Sequence, residues 1–340
     1  MRPAIKPLPE WRDVDAKTFE TQIRPGARPA VLRNLVGQWP AVKSAQSGAG
    51  NISAYLLSMY ANVPVPLFEV PAEMNGRLFY DTQLNGFNFR SSRAPLGAII
   101  SRLMELRDQP NVPALYSGSI SLPIYLPSFI DGNPLPIPLR SEATLQSIWI
   151  GNRTRVAAHF DASENIACVV AGRRRFTLFP PEQVANLYVG PLDRTPAGQP
   201  ISLVDLAAPD LDRFPRFAQA LEQAQSAELG PGDAIYIPTL WWHAVDGLDA
   251  FNVLVNYWWQ DTPAYFEPPM QSLLHCLLSI KGLPAAQRSA WKALFDYLIF
   301  QDGTALEHLS AQQRGLFGDL TSEKASIIRA MLLERLSRDG

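Results

Sequence analysis

His159 and Asp161 stand two residues apart in the stretch AAHFDASEN, and far downstream GPGDAIYIPTLWWHAVDG carries His243. When the backbone is extended, successive side chains alternate between faces, so an imidazole and a carboxylate at this spacing point the same way. Such a pair fills two adjacent corners around a metal ion. A second imidazole from a neighbouring strand completes the two-histidine, one-carboxylate facial set that suits non-haem Fe(II). Zinc is the competing metal, but structural zinc prefers thiolates and four closed ligands, and no cysteine pair accompanies these residues. Mn(II) and Ni(II) are the substitutes that this donor set admits. A His-x-Asp pair by itself is a common accident, and His243, flanked by Trp241, Trp242 and Ala244, also fits a hydrogen-bonded core histidine. The chain has four histidines. The other two, His275 and His308, fall in helical patterns, which leaves His159, Asp161 and His243 as the minimal ligand set.

The elements that must hold these side chains read as short strands. Residues 111–262 carry apolar or alternating runs punctuated by Gly, Pro and Asn: SIWIG, RVAAHFD, IACVVAG, RRFTLFP, DAIYIP and FNVLVNYWW. IACVVAG and RRFTLFP meet at Ala171-Gly172-Arg173, where glycine supplies the positive φ of a tight hairpin turn. PDLDRFPRFAQALEQAQ predicts a short helix interrupting the strands, and the Gly- and Pro-rich segment from Tyr188 to Val204 is a candidate lid. Residues 1–110 mix helical patterns such as SAYLLSMYA with strand-like pieces such as PAVLRNL, and form an N-terminal region expected to pack on the core. Residues 263–340 are helical, in MQSLLHCLLSI, AAQRSAWKALFDYLIF and SEKASIIRAMLLERLSR. The first two are unusually apolar for water-covered helices, which fits packing on the barrel or a homodimer interface.

The 340 residues are 47% hydrophobic and 18% charged, enough apolar content for a substantial core. A formal net charge of −2 gives no electrostatic reason to expect nucleic acid or an anionic membrane as partner. Cys168 and Cys276 lie among apolar neighbours without CxxC spacing, which suggests reduced thiols and a cytoplasmic location; a disulfide between them is the alternative. No run approaches the length of a membrane span, and the first residues lack the apolar segment of a signal peptide.

HFDASENIACVVAGRRRFTLFPP, followed by LGPGDAIYIPTLWWHAVDG and NVLVNYWW, resembles the cupin-like JmjC oxygenases, within them most the asparaginyl hydroxylase that inhibits hypoxia-inducible factor. ARPAVLRNLVGQWPAV and PDLDRFPRF extend the likeness over roughly residues 25–262. The resemblance implies a mainly β fold, a double-stranded β-helix of jelly-roll type, with Fe(II) and the cosubstrate 2-oxoglutarate. It implies metal ligands at His159, Asp161 and His243. Arg174 matches the residue that grips the distal carboxylate of 2-oxoglutarate, and Tyr116 in ALYSGS matches a tyrosine that assists it. Asn165 and Asn256 match positions that bond the cosubstrate near the metal, and Trp258 matches an aromatic wall.

Strand alternation supports the first of these transfers. Arg174, Phe176 and Leu178 share a face, so the guanidinium points into an apolar barrel, where a buried cation needs an anion. A solvated hairpin tip is the alternative reading, and it suits Arg173 and Arg175. Two departures stand out. Val156 replaces a threonine that assists cosubstrate binding, and the residues around Pro200 and Ile201 lack the polar side chains that hold the relative's target asparagine. The activity implied is hydroxylation of a C–H bond coupled to oxidative decarboxylation of 2-oxoglutarate, on a protein or small-molecule substrate. The rival readings are a metal- or dicarboxylate-binding cupin sensor without turnover, and a cupin isomerase or dioxygenase that uses no 2-oxoglutarate.

Overall fold

The computed structural model describes residues 5–139, 144–196, 198–301 and 305–337. The chain divides into two units, Met1–Gln260 and Asp261–Gly340. In the first, short strands precede the core: β1 (Lys6–Pro7), β2 (Glu10–Arg12), β3 (Ala30–Arg33), β4 (Val65–Val70), β5 (Arg77–Leu78) and β6 (Arg90–Ala94). The core follows with β7 (Ala114–Ser121), β8 (Leu145–Gly151), β9 (Arg155–His159), β10 (Glu164–Ala171), β11 (Arg174–Phe179), β12 (Gln225–Leu229), β13 (Ala234–Ile237), β14 (Trp242–Gly247) and β15 (Asn252–Trp259).

These strands make a nine-stranded sheet ordered β2-β3-β13-β10-β15-β8-β7-β4-β6 and a six-stranded sheet ordered β1-β12-β11-β14-β9-β5. From β8 onward the chain crosses repeatedly between them. Strands β8, β10, β13 and β15 lie in the larger sheet, and β9, β11, β12 and β14 in the smaller. Within each set of four, neighbours are antiparallel. This is the winding of a double-stranded β-helix, and it agrees with the jelly-roll expectation.

Alternation along each strand sorts its side chains between cores. On β10, Ala167 and Val169 face the space between the sheets, where they meet Phe176 and Leu178 of β11 and Leu254 of β15. Ile166, Cys168 and Val170 face the other way, into a core shared with Ile52 and Leu56 of the helix Ala49–Ser58 and with Leu96, Ile99 and Leu103 of the helix Leu96–Leu106. The spacing of Leu96, Ile99, Ile100 and Leu103 gives that helix one apolar stripe, which it lays against the sheet. The outer face of the smaller sheet is covered by the helix Phe217–Gln223 through Phe217, Ala220 and Leu221, at the place where PDLDRFPRFAQALEQAQ predicts one.

The turn at Gly172 is tight and has the expected positive φ of 69°. It does not make a hairpin, however. β10 pairs with β13 and β15, whereas β11 pairs with β12 and β14, so the turn carries the chain from one sheet to the other. Local sequence signals the reversal, but a change of sheet depends on which distant strands claim each edge.

In the second unit the helices are Pro269–Ser279, Ala285–Leu298 and Ser322–Leu336. Among its described residues only Ala325 is buried, while Leu278, Phe300 and Leu333 are 75%, 72% and 64% exposed. Cys168 and Cys276 are both free thiols. No helix among the described residues is long and apolar enough to cross a membrane.

A Cβ on Gly172 would lie 2.5 Å from the carbonyl oxygen of Phe251, besides the cost of a left-handed backbone. Gly172→Ala is therefore expected to cost about 1–3 kcal/mol or more, seen as a lowered melting temperature; an unchanged value would mean that the turn relaxes freely.

Candidate active site

One end of the space between the sheets opens into a cavity of about 450 Å³, lined by His159, Asp161, His243, Arg174, Asn165 and Asn256 among others. Backbone pairing brings the two histidines together. β9 and β14 place His159 directly opposite His243, with ring centroids 4.3 Å apart. The register then shifts. His243 and Val245, two apart on β14, face His159 and Val156, three apart on β9, so the latter strand bulges by one residue. The bulge turns both Val156 and His159 toward the cavity, which strict alternation forbids at that spacing.

Asp161 reaches the site differently from the expectation of a shared strand face. β9 ends at His159, and Asp161 sits in the turn before β10. That turn is pinned by the Leu240 amide, which donates to the Asp161 carbonyl at 2.9 Å, and by the Gln260 side chain, which donates to the Ala162 carbonyl at 2.7 Å. One ligand-type atom from each of His159, Asp161 and His243 lies within 4.8 Å of the others.

Both imidazoles are held in one tautomer. Nδ1 of His159 is 2.9 Å from the carbonyl of Ala157, and Nδ1 of His243 is 3.1 Å from that of Trp241. A carbonyl only accepts, so Nδ1 carries a proton and Nε2 is the ring atom turned to the cavity as the possible ligand. Nε2 of His243 lies 3.6 Å from Oδ2 of Asp161. Burial, and then the neighbouring His159, pull the pKa of His243 down to about 4, while Asp161 acts in the opposite sense. At neutral pH that imidazole is an uncharged donor of electrons.

The carboxylate is braced in turn. The indole Nε1 of Trp258 donates to Asp161 Oδ2 at 2.8 Å, and Asn165 Nδ2 reaches the same oxygen at 3.4 Å. The Asn165 side-chain oxygen accepts from Asn256 Nδ2 at 3.4 Å, and the Asn256 oxygen accepts from the indole of Trp149 at 2.6 Å. A continuous polar chain therefore runs from Trp149 through both asparagines to Asp161. Asn165 pairs with Trp258 across β10 and β15. Trp258 thus contributes a hydrogen bond as well as an aromatic wall. Trp149 was not among the expected site residues; the signal for it is an indole in SIWIG, whose N–H must find a partner once buried.

Deeper in the cavity, Arg174 is 1% exposed, and its Nε and Nη2 are buried without a hydrogen-bond partner. Burial pulls its pKa below the ordinary guanidinium range; the hydroxyl of Tyr116, which bonds it, opposes that shift. Tyr116 stacks on Trp149 at 5.7 Å, with 28° between the rings. The flanking arginines point outward, Arg173 pairing with Asp249 and Arg175 with Glu228. An unpaired buried cation costs several kcal/mol, a large part of the 5–15 kcal/mol typical of a whole domain. The free nitrogens therefore fit a carboxylate entering from the cavity, and the two imidazoles with one carboxylate fit a divalent iron. Val156 lines the same cavity and brings no hydroxyl.

Described residues of the segment from Tyr188 to Val204, the flap, border the cavity. Ile201 bridges to His159, Val189 bridges to Ser202, and the Tyr80 hydroxyl donates to the Arg194 carbonyl at 2.9 Å. Pro196, Gln199 and Ile201 face the cavity.

Residues 16–265 match the family model described as a cupin-like domain. Over 138 residues the chain is 35% identical to "Lysine-specific demethylase JMJ31" of Arabidopsis thaliana, covering 40% of this chain and 23% of that protein. It is 26% identical to "tRNA wybutosine-synthesizing protein 5" of Danio rerio, covering 76% of each, and 27% identical to "Bifunctional peptidase and (3S)-lysyl hydroxylase JMJD7" of Homo sapiens, covering 68% of this chain and 77% of that one. Of the first relatives matched, the Arabidopsis protein and "HSPB1-associated protein 1" of Homo sapiens, the match spans only 23% and 30% of the length. These matches reach the level of the family and carry no special likeness to an asparaginyl hydroxylase. With the interleaved sheets and the facing histidines, they lead to one identification: the chain belongs to the cupin-like, JmjC-type domain family.

Proposed function

We propose that the protein is an Fe(II)- and 2-oxoglutarate-dependent oxygenase, a hydroxylase of a protein or small-molecule substrate. The observation that carries this reading is the buried Arg174, with two unpartnered nitrogens, in the same cavity as the His159, Asp161 and His243 cluster. A metal site by itself fits many cupins; a metal site sharing its cavity with an unsatisfied cation asks for a ligand with a carboxylate.

In this reading His159 and His243 hold the metal through Nε2, and Asp161 supplies the carboxylate. Donation from both Nδ1 atoms to backbone carbonyls fixes the imidazole orientation, and Trp258 and Asn165 fix the carboxylate. Arg174 and Tyr116 hold the distal carboxylate of 2-oxoglutarate, Arg174 offering the fork that matches two oxygens. Asn165 and Asn256 lie on the path between that anchor and the metal end. When bound, iron and cosubstrate supply the oxidising chemistry: 2-oxoglutarate, O2 and a substrate C–H become succinate, CO2 and a C–OH. The protein orients the reactants and keeps water out with Val156, Phe176 and Val245, and no general base is assigned.

The helical unit supports a homodimer as the second part of the proposal. Three helices with one buried residue among those described leave apolar faces that need a partner. A two-fold copy presenting the same faces covers both. The two free cysteines favour a cytoplasmic setting, and a net charge of −2 favours a partner other than nucleic acid.

Three outcomes are expected. Fe(II) and 2-oxoglutarate together raise the melting temperature under anaerobic conditions, by linkage worth about 2.7 kcal/mol at a hundredfold excess over Kd, and O2 with a true substrate releases succinate alongside a product heavier by one oxygen. Stabilisation without any succinate would identify a binding protein, and no stabilisation by either ligand would sink the reading. Arg174→Met leaves the ligand-free protein as stable or more stable, by up to about 4 kcal/mol, and abolishes the further stabilisation by 2-oxoglutarate; a variant that still responds to 2-oxoglutarate contradicts the anchor. Sedimentation equilibrium returns twice the mass of one chain, and Leu278→Glu combined with Phe300→Glu returns one; a monomer in the unaltered protein refutes the dimer.

A further inference from the structure

The walls of the cavity beyond the metal cluster bear on what enters it. Besides the residues already assigned, Pro66, Phe68, Leu78 and Ile201 line the cavity, with Ser119 and Gln199 as neutral polar groups. Among the described lining residues Asp161 is the only carboxylate, and Arg174 the only lysine or arginine. Both belong to the machinery already assigned. From Phe68 the apolar surface continues outward: Phe68 meets Phe89 edge-on at 5.3 Å, Phe89 stacks on Phe87 at 5.1 Å, and Phe87 is 36% exposed. Charge does occur on the flap, in Asp193 and Arg194, yet neither lines the cavity. Asp193 sits close enough to the Tyr80 hydroxyl to affect it, and the Arg194 carbonyl accepts from that hydroxyl.

The charge balance points the same way and rests on the oxygenase reading. With a ferrous ion and 2-oxoglutarate in place, the two positive charges of the metal and the one of Arg174 are matched by Asp161 and the two carboxylates of the cosubstrate. No surplus negative charge remains for a cation to meet. A substrate ammonium or guanidinium brought to the metal would lose its hydration without a counter-ion, which buried charges do not tolerate. An alkyl group loses nothing by entering such walls and gains from leaving water. The volume of about 450 Å³ lies toward the low end for ligand pockets and must also hold the cosubstrate. The room left is that of a side chain.

We infer that the group presented for oxidation is uncharged and largely apolar, of side-chain size, carrying at most a neutral polar end such as an amide or hydroxyl that Gln199 or Ser119 can bond. Phe68, Leu78 and Ile201 select it by excluding charge, and Gln199 is the polar determinant on the flap. Cationic side chains, methylated or not, are excluded as oxidation targets.

The test uses the full chain loaded with Fe(II) and 2-oxoglutarate without oxygen, so that binding is read without turnover. Metal and cosubstrate are titrated first by calorimetry. Three probes of one chain length follow: pentan-1-ol, pentylammonium and pentyltrimethylammonium. The alcohol is expected to bind at least tenfold tighter than either cation, and Gln199→Glu to move the alcohol-to-pentylammonium ratio at least tenfold toward the cation. A cation that binds as well as the alcohol, or an alcohol that shows no saturable binding, overturns the inference and leaves the oxygenase reading intact. An unchanged ratio in Gln199→Glu overturns the role of Gln199. Failure of the protein to take metal and 2-oxoglutarate in the first titration overturns both.

Discussion

Pairing of β9 with β14 is the constraint on which the site depends. It sets His159 across from His243 at a separation fixed by backbone hydrogen bonds, so the distance between the imidazoles does not depend on the conformation of any long side chain. Everything else in the site adjusts to that pair. The bulge on β9 lets Val156 face inward as well, the turn after His159 delivers Asp161, and the flap attaches to the same strand through Ile201. A centre held by sheet register costs little side-chain entropy, because the main chain has already been ordered by folding.

Rigidity near the metal cluster contrasts with an unfinished interaction at Arg174. Trp149, Asn256, Asn165 and Trp258 form bonds among themselves and with Asp161, and leave that end of the cavity satisfied before any ligand arrives. The guanidinium end is left with two bare nitrogens. The fold therefore leaves an unmet charge at Arg174, which a carboxylate can meet. Stability is lowered locally in exchange for selectivity, a pattern expected at binding sites and rare elsewhere in a core.

Much of this was legible in the residues. Alternation in RRRFTLFP is enough to turn Arg174 inward and its neighbours outward, and the structure agrees on all three. The strands named by SIWIG, IACVVAG, DAIYIP and FNVLVNYWW lie where their patterns put them. What escaped depends on contacts distant in sequence. A period of two cannot place both Val156 and His159 on one face; the bulge that does so is imposed by pairing with β14. Asp161 was expected on the strand, but β9 ends at His159, and the backbone carbonyl of Asp161 bonds Leu240 instead of a neighbouring strand. Phe68 and Leu78 reach the cavity from strands whose own sequences show no sign of it, since β4 and β5 join sheets that the downstream core builds.

Alternation also decides where the core keeps its sulfur. Ala167 faces the cavity, and Cys168, the next residue on β10, faces the opposite core, fully buried and with its thiol pKa pushed up by that burial. A thiol in the cavity would compete with imidazole for a metal and, of the side chains there, would be the one most open to oxidation. The thickness of one sheet separates the two. A one-residue slip of β10 would exchange them, so the register of that strand protects the centre from poisoning by its own protein.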